Sequence, residues 1–369
     1  MKKICFVSTS RADYWLLKAL LEEIRKDNTY ELQIVVSAAM LSPTYGYAAQ
    51  YVEMDGFHIN EKIESLVSGD TPLAISKTMG LSVMGFGEAY ARLKPDLLLL
   101  PGDRYEMLMA AAAACISKIR IAHFYGGDIT KGAYDDEIRN AITQLAHFHF
   151  VSNINSYDNL LKLGVSENEV FNYGSPALDS ILNVPVLSRA NLEAALGVSL
   201  GQKSVLLTLH PETKSDNLFA HLDIFLQSIE YLIKAQYTVI ITAPNADTCG
   251  LSYLEKLENF CRAYNHVCFF KTLGLERYVS LMNIVDFVMG NSSSGLYEVP
   301  SFKIPTINIG NRQEGRLKAS SIIDVQWSLK SIIQGIKAAQ NLDCSRTANP
   351  YGDGQSSPKI YGTIKNILQ

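Results

Sequence analysis

Apolar runs of strand length recur from end to end of this chain, separated by segments of helical period. They fall at 4–7, 32–36, 97–100, 119–124, 148–151, 205–209, 239–243, 267–270, 285–289 and 304–309. The runs are apolar throughout instead of alternating, as strands must be when helices cover both faces of a parallel sheet. They predict an α/β chain with doubly wound sheets. In the first helical segment Leu17, Leu20, Leu21 and Ile24 share one face, and 110–114 is built of small side chains that allow close approach to a sheet.

At 369 residues the chain is too long for one ordinary core. A break from Gly174-Ser175-Pro176 to Val184-Pro185, after which the alternation restarts, predicts a first Rossmann-like domain over 1–175 and a second over 176–352. Two such units are expected to turn the C-terminal edges of their strands toward each other across a cleft. The turn cluster Asn349-Pro350-Tyr351-Gly352-Asp353-Gly354 opens a last piece, 353–369, with a helix over about 357–368 expected to cross back onto the first domain.

Hydrophobic residues at 47% and charged residues at 19% exclude a disordered chain, and no apolar stretch approaches the roughly 20 residues that span a bilayer. The N-terminal apolar run turns polar at Ser8 to Asp13, too soon for an export signal, so it reads as a first strand of a cytoplasmic protein. Six cysteines without a Cys-x-x-Cys pair read as buried free thiols. A formal charge of −4 gives no general attraction to nucleic acid or to membranes, so positive sites must be local.

One local site stands out. Met289-Gly290-Asn291-Ser292-Ser293-Ser294-Gly295 follows an apolar run and leads into a helix-like segment. A turn of small residues between a strand and a helix start leaves backbone N–H groups and serine hydroxyls aimed at one point, where an anion belongs. A serine N-cap on an ordinary helix is the alternative. Arg312 and Arg316, after another apolar run, favour the anion.

In doubly wound domains the residues after each strand are the site candidates. Here they include Arg11 and Asp13 after the first run, Asp103, Arg104 and Glu106 after 97–100, and Asp128 after 119–124, with Asp135 and Asp136 opening the next helix. In the second domain His210 and Asn245 hold equivalent places. Each has a plainer reading: Asp135 or Asp136 as a helix cap, Asp103 with Arg104 as an ion pair, His210 as a buried hydrogen-bonded histidine. All of them at strand ends is the signal. Among His123, His147 and His149 only the last two are expected to face the same way, and no carboxylate has ligand spacing to them, so no metal site is expected.

Taken in order, these motifs resemble the hydrolysing UDP-N-acetylglucosamine 2-epimerases of bacterial sialic-acid and legionaminic-acid biosynthesis. The resemblance covers Ser10-Arg11-Ala12-Asp13-Tyr14, Gly102 to Glu106, Gly126-Gly127-Asp128, Asp135 to Arg139, Pro244 to Asp247, Gly290 to Gly295, Pro300 to Thr306 and Gly310 to Arg316. It implies a GT-B-like fold, no cofactor, a UDP-sugar substrate and a homodimer or homotetramer. The sugar would be N-acetylglucosamine, giving N-acetylmannosamine, or alternatively N,N′-diacetylbacillosamine. It implies catalytic roles for Asp103, Asp128, Asp135 and His210, and UDP contacts from Arg11, Arg104, His210, Asn245, Ser292, Ser293, Ser294, Gly295, Glu298 and Arg312. One departure stands in the third strand's exit: Tyr125 occupies a position where related epimerases often carry glutamate, so either Asp128 supplies the second carboxylate or Tyr125 has another role. A GT-B glycosyltransferase and a non-catalytic nucleotide-sugar sensor are the rival readings.

Overall fold

The computed structural model describes all residues except 131–133, 214, 245–248 and 265, so Asn245 lies outside the described residues. The chain divides into two compact units. The first comprises Met1–Ile129, Tyr134–Leu182 and Tyr351–Gln369, and the second contains Asn183–Pro350.

The first unit is built on a seven-stranded parallel sheet of β1 (Lys2–Ser8), β2 (Tyr30–Ser37), β3 (Glu61–Ile63), β4 (Leu97–Pro101), β5 (Arg120–Phe124), β6 (Phe148–Val151) and β7 (Val170–Asn172), in the order β3-β2-β1-β4-β5-β6-β7. The order reverses between β1 and β4. That is the switch point at which loops leave in opposite directions and open a crevice at the carboxyl edge. The helix Arg11–Lys26 buries Leu17, Leu20, Leu21 and Ile24 completely, and the helix Tyr105–Ile116 seats Ala110, Ala111 and Ala114 in the core beside Leu98 and Leu100. Small side chains there let the helix backbone close on the sheet.

The second unit repeats the plan with β8 (Ser204–Thr208), β9 (Thr238–Thr242), β10 (Val267–Phe270), β11 (Phe287–Gly290), β12 (Thr306–Ile309) and β13 (Ile322–Val325), in the order β10-β9-β8-β11-β12-β13. Its switch point lies between β8 and β11. Its core sets Val205, Leu207, Val239, Ile241, Phe287, Met289 and Ile307 of the strands against Leu222, Phe225, Ile229 and Ile336 of the helices.

The C-terminal helix Ser357–Leu368 belongs to the first unit. Asp179 accepts hydrogen bonds from the N–H groups of Ser356 (3.0 Å) and Ser357, while Arg120 Nη1 donates to Ile367 O at 2.9 Å. Ile360, Ile364 and Leu368 supply the buried stripe that holds it. No helix among the described residues is long and apolar enough to cross a membrane.

Candidate active site

In the first unit the loop after β1 is organised by Asp13. Its carboxylate accepts from the N–H and hydroxyl of Thr9 (2.8 and 2.9 Å) and from the N–H and hydroxyl of Ser10 (2.7 and 3.0 Å), closing a capping box at the start of the helix that Arg11 opens. Burial pushes the Asp13 carboxyl up, against the pull of Arg104 and these donors. Arg104, after β4, forks onto fully buried Glu106, with Nε–Oε2 at 3.2 Å and Nη2–Oε1 at 3.3 Å. Asp103 pairs with Arg139.

Arg139 sits at the centre of the acid cluster. It rises from the helix Asp135–Leu145 with its guanidinium wholly buried, and donates through Nη2 to Asp103 and through Nη1 to Asp136 Oδ1 and the Asp128 carbonyl, both at 2.6 Å. Burial disfavours its charge, but Asp103, Asp128, Asp136 and Asp135 together hold it well above the ordinary arginine range. Asp103 and Asp128, on separate loops, and Asp135, at the start of the helix that carries Arg139, thus all act on one cation. Asp135 and Asp136 stand in the first turn of the helix, where their charge complements its dipole, one position inside the cap and beyond. The cap position belongs to Tyr134 without a side-chain bond, and Asp136 is spent on Arg139.

Asp128 and Tyr125, the two claimants to the missing carboxylate's place, both have structural ties. Asp128 Oδ1 accepts from Ser156 Oγ at 2.5 Å, on the helix Ile154–Lys162. Tyr125 has a left-handed backbone (φ 66°), and its hydroxyl lies 2.9 Å from Ser175 Oγ and accepts from Ala177 N–H at 3.3 Å, which seats the start of the helix Pro176–Leu182. His123, on β5, is neutral because burial pushes it down to about 4. As the neutral form its Nε2 donates to Gly102 O at 2.8 Å and its Nδ1 accepts from Thr143 at 3.2 Å, which fixes the peptide just before Asp103. The expectation that only His147 and His149 share a face is corrected: His123 and His149 are register partners on adjacent parallel strands, so their side chains emerge on the same side of the sheet. No group of three His, Cys, Asp or Glu side chains among the described residues is arranged to hold a metal ion.

The second unit carries the serine turn. Gly290 ends β11 at φ 144°, and a Cβ there would lie 1.9 Å from Thr208 O, so only glycine lets the turn leave against β8. Gly295 is required as well, since a Cβ would meet Thr306 Cγ2 at 2.7 Å. The helix that follows is one turn, Ser294–Tyr297, giving way to the 3₁₀ segment Val299–Phe302 around Pro300, which cannot continue an α-helix. The helix dipole invoked from sequence is accordingly short. Any anion at Ser292, Ser293 and Ser294, which are half-buried, would be held by local N–H and hydroxyl groups. Ser294 and Tyr278 both donate to Glu298, whose carboxyl burial pushes up against these two donors.

His210, after β8, and Arg312, after β12, are both buried and both reach Asn291 at the head of the serine turn. Of the residues singled out from sequence, Asp103, Asp128 and Asp135 are gathered in the first unit, with Arg104 on the same carboxyl edge. His210, Ser292 to Gly295, Glu298 and Arg312 are gathered in the second. Arg11 stands half-buried at the helix start beside the Asp13 turn. Sequence reading gave no role to Arg139, Asn291, Gln313 or Tyr278. For Arg139 the signal was present: it lies four residues after Asp135, on the same face of a helix.

The family model described as UDP-N-acetylglucosamine 2-epimerase matches residues 22–365. The chain is 41% identical to the GDP/UDP-N,N′-diacetylbacillosamine 2-epimerase (hydrolyzing) of Campylobacter jejuni, over 88% of this chain and 84% of that one. It is 31% identical to the UDP-N,N′-diacetylbacillosamine 2-epimerase (hydrolyzing) of Legionella pneumophila, over 100% and 96%. In fold it matches the UDP-GlcNAc 2-epimerase of Neisseria meningitidis bound to UDP-GlcNAc, with a TM-score of 0.84 over 99% and 100% of the two chains at 18% identity. The two parallel sheets flanked by helices are those of the GT-B-like fold of such structures. Matched by the family model over most of its length and 41% identical to one of these relatives, the chain belongs to the UDP-N-acetylglucosamine 2-epimerase family.

Proposed function

We propose that the chain is a hydrolysing 2-epimerase that converts a UDP-2-acetamido sugar and water into UDP and the free 2-epimeric sugar. The observation that carries this is the 41% identity to a relative named as a hydrolysing 2-epimerase, together with carboxylates gathered on one buried cation. That relative and the Legionella one share the diacetylbacillosamine name, which favours UDP-N,N′-diacetylbacillosamine over UDP-N-acetylglucosamine as the substrate.

The C2 proton of the sugar is not beside a carbonyl, so the C1–O bond to UDP must loosen as the proton leaves. The C2–H electron pair becomes the C1=C2 bond while the C1–O pair departs with UDP, leaving a 2-acetamidoglycal. Water then adds at C1 and C2 takes a proton on the opposite face. Asp103, paired with Arg139, is suited to take the C2 proton, and Asp135 is the next candidate for proton transfer. The serine turn, Arg312 and His210 are assigned to the diphosphate, whose departure without a metal ion requires fixed donors and cations. Turnover should therefore survive exhaustive chelation; a loss restored by Mg²⁺ or Mn²⁺ would favour a transferase. Reaction in D₂O containing ¹⁸O-enriched water must give a free sugar with deuterium at C2 and ¹⁸O at C1. A product that keeps its C2 hydrogen refutes the mechanism, and assay of UDP and GDP forms of both sugars side by side fixes the substrate.

A homo-oligomer is also inferred. The helix Pro72–Leu93 exposes Leu73, Leu81 and Met84 on a face where Gly80 and Gly87 leave open space. A second copy laid antiparallel across it, with the two-fold axis between Ser82 and Val83, sets Leu81 against Met84 and Lys77 against Glu88 twice over.

A further inference from the structure

We propose that Asn291 is the positioning residue of the anion site, setting both His210 and Arg312 against the serine turn. Its side-chain amide acts as an extra rung of sheet: Oδ1 accepts from His210 N–H at 2.8 Å and Nδ2 donates to His210 O at 2.8 Å, so both polar groups of one residue's backbone are read by one amide. Its own N–H donates to Thr208 O at 3.2 Å. Its carbonyl accepts from Gln313 Nε2 at 2.8 Å and from Arg312 Nη1 at 3.4 Å. Asn291 has no exposed surface, and Gln313 has none either. The loops after β8, β11 and β12, three neighbouring strands, are thereby tied through one side chain and its peptide.

The chemistry demands an amide. Aspartate has the same shape and still accepts from His210 N–H, but its second oxygen would face the His210 carbonyl with no proton between them. A buried acceptor-to-acceptor contact of that kind is unfavourable and should swing the His210 loop away. The same displacement would move the carbonyl on which Arg312 and Gln313 rest. Protonated aspartate, by contrast, carries an O–H that donates where Nδ2 did. Asn291→Asp should therefore be damaged at alkaline pH and repaired as the pH falls, a signature that a merely space-filling role lacks.

The inference rests on the reading of the serine turn and Arg312 as the diphosphate holder. The test is calorimetric titration of UDP into the full-length parent and the Asn291→Asp variant at pH 8, 7 and 6, with circular dichroism confirming the fold. Expected is at least a tenfold loss of UDP affinity at pH 8 that narrows toward pH 6. A folded variant within threefold of the parent at pH 8, or a deficit that does not narrow, overturns the role of Asn291 and leaves the site reading intact. A parent that binds no UDP overturns the site reading itself. Should Asn291→Asp fail to fold, Gln313→Glu decides: its carboxylate keeps the bond that Arg316 Nη1 donates to Gln313 Oε1 at 2.7 Å and loses only the donation to the Asn291 carbonyl, and with Arg316 beside it stays ionised, so a threefold or greater loss at both pH 8 and pH 6 upholds the clamp and a smaller one removes it.

Discussion

Arg139 shows how a buried cation can make acids useful. A guanidinium with no solvent would be costly alone, and its partners Asp103 and Asp136 repay that cost while being held in place by it. If Asp103 and Asp135 carry the proton transfers, Asp103→Asn and Asp135→Asn should each slow turnover at least about a hundredfold with little change in UDP affinity. Near-parental rates for both would sink the assignment and leave Asp128, tied to Ser156, to be examined. At the other site Ser293→Ala with Arg312→Ala should weaken UDP binding by about 3 kcal/mol or more, given about 1.5–3 for a hydrogen bond to a charged group. Calorimetry on the folded double variant reads this directly, and unchanged affinity removes the diphosphate from the turn.

At the scale of elements, two helices invite tests that do not touch the candidate sites. The self-pairing of Pro72–Leu93 predicts that Leu81→Asp with Met84→Asp lowers the oligomeric state in sedimentation without lowering the stability of the chain itself, because both side chains are exposed in it. Lys77→Glu alone should weaken association, and Lys77→Glu with Glu88→Lys should restore it; failure of the pair to restore it discards that register. The C-terminal helix depends on Asp179, which receives two N–H donors at its start. Asp179→Ala should cost about 1 kcal/mol, the ordinary worth of a lost cap, visible as a lower denaturant midpoint. A larger loss would mean that this carboxylate organises more than the helix end.

For the whole molecule, acid is the informative perturbation. His123 and His149 are cross-strand partners buried as neutral rings, with burial pushing them down to about 4 and about 3. Below an unfolded value near 6.5 the unfolded chain binds protons that the folded one refuses, so stability is full above that pH and falls as the pH drops toward 4. His123 alone, shifted from 6.5 to about 4, corresponds to about 3 kcal/mol of stability lost over that interval. Urea midpoints at pH 7.5 and 4.5 should therefore differ strongly in the parent and much less in His123→Gln with His149→Gln. Equal acid sensitivity in that variant would assign the loss to the carboxylates.

The sequence by itself determined the parallel α/β plan, because strands buried on both faces must be apolar throughout, and ten such runs are written plainly. It also determined which loops carry charge. It did not reveal β3, β7 and β13, which are all sheet edges: with one neighbour and partial solvent contact, Glu61–Ile63, Val170–Asn172 and Ile322–Val325 have no need of a continuous apolar run. Nor did it reveal who pairs with whom. The strand order brings Asp103 to Arg139, 36 residues away, and Arg104 to Glu106, and neither pairing was read from the sequence. The serine turn was legible as a loop, yet its clamp, Asn291, was not. Its partners His210 and Gln313 become neighbours only when β8, β11 and β12 lie side by side, and that adjacency is a property of the folded sheet, since hydrogen-bond partners are chosen by distance in space and local sequence records only distance along the chain.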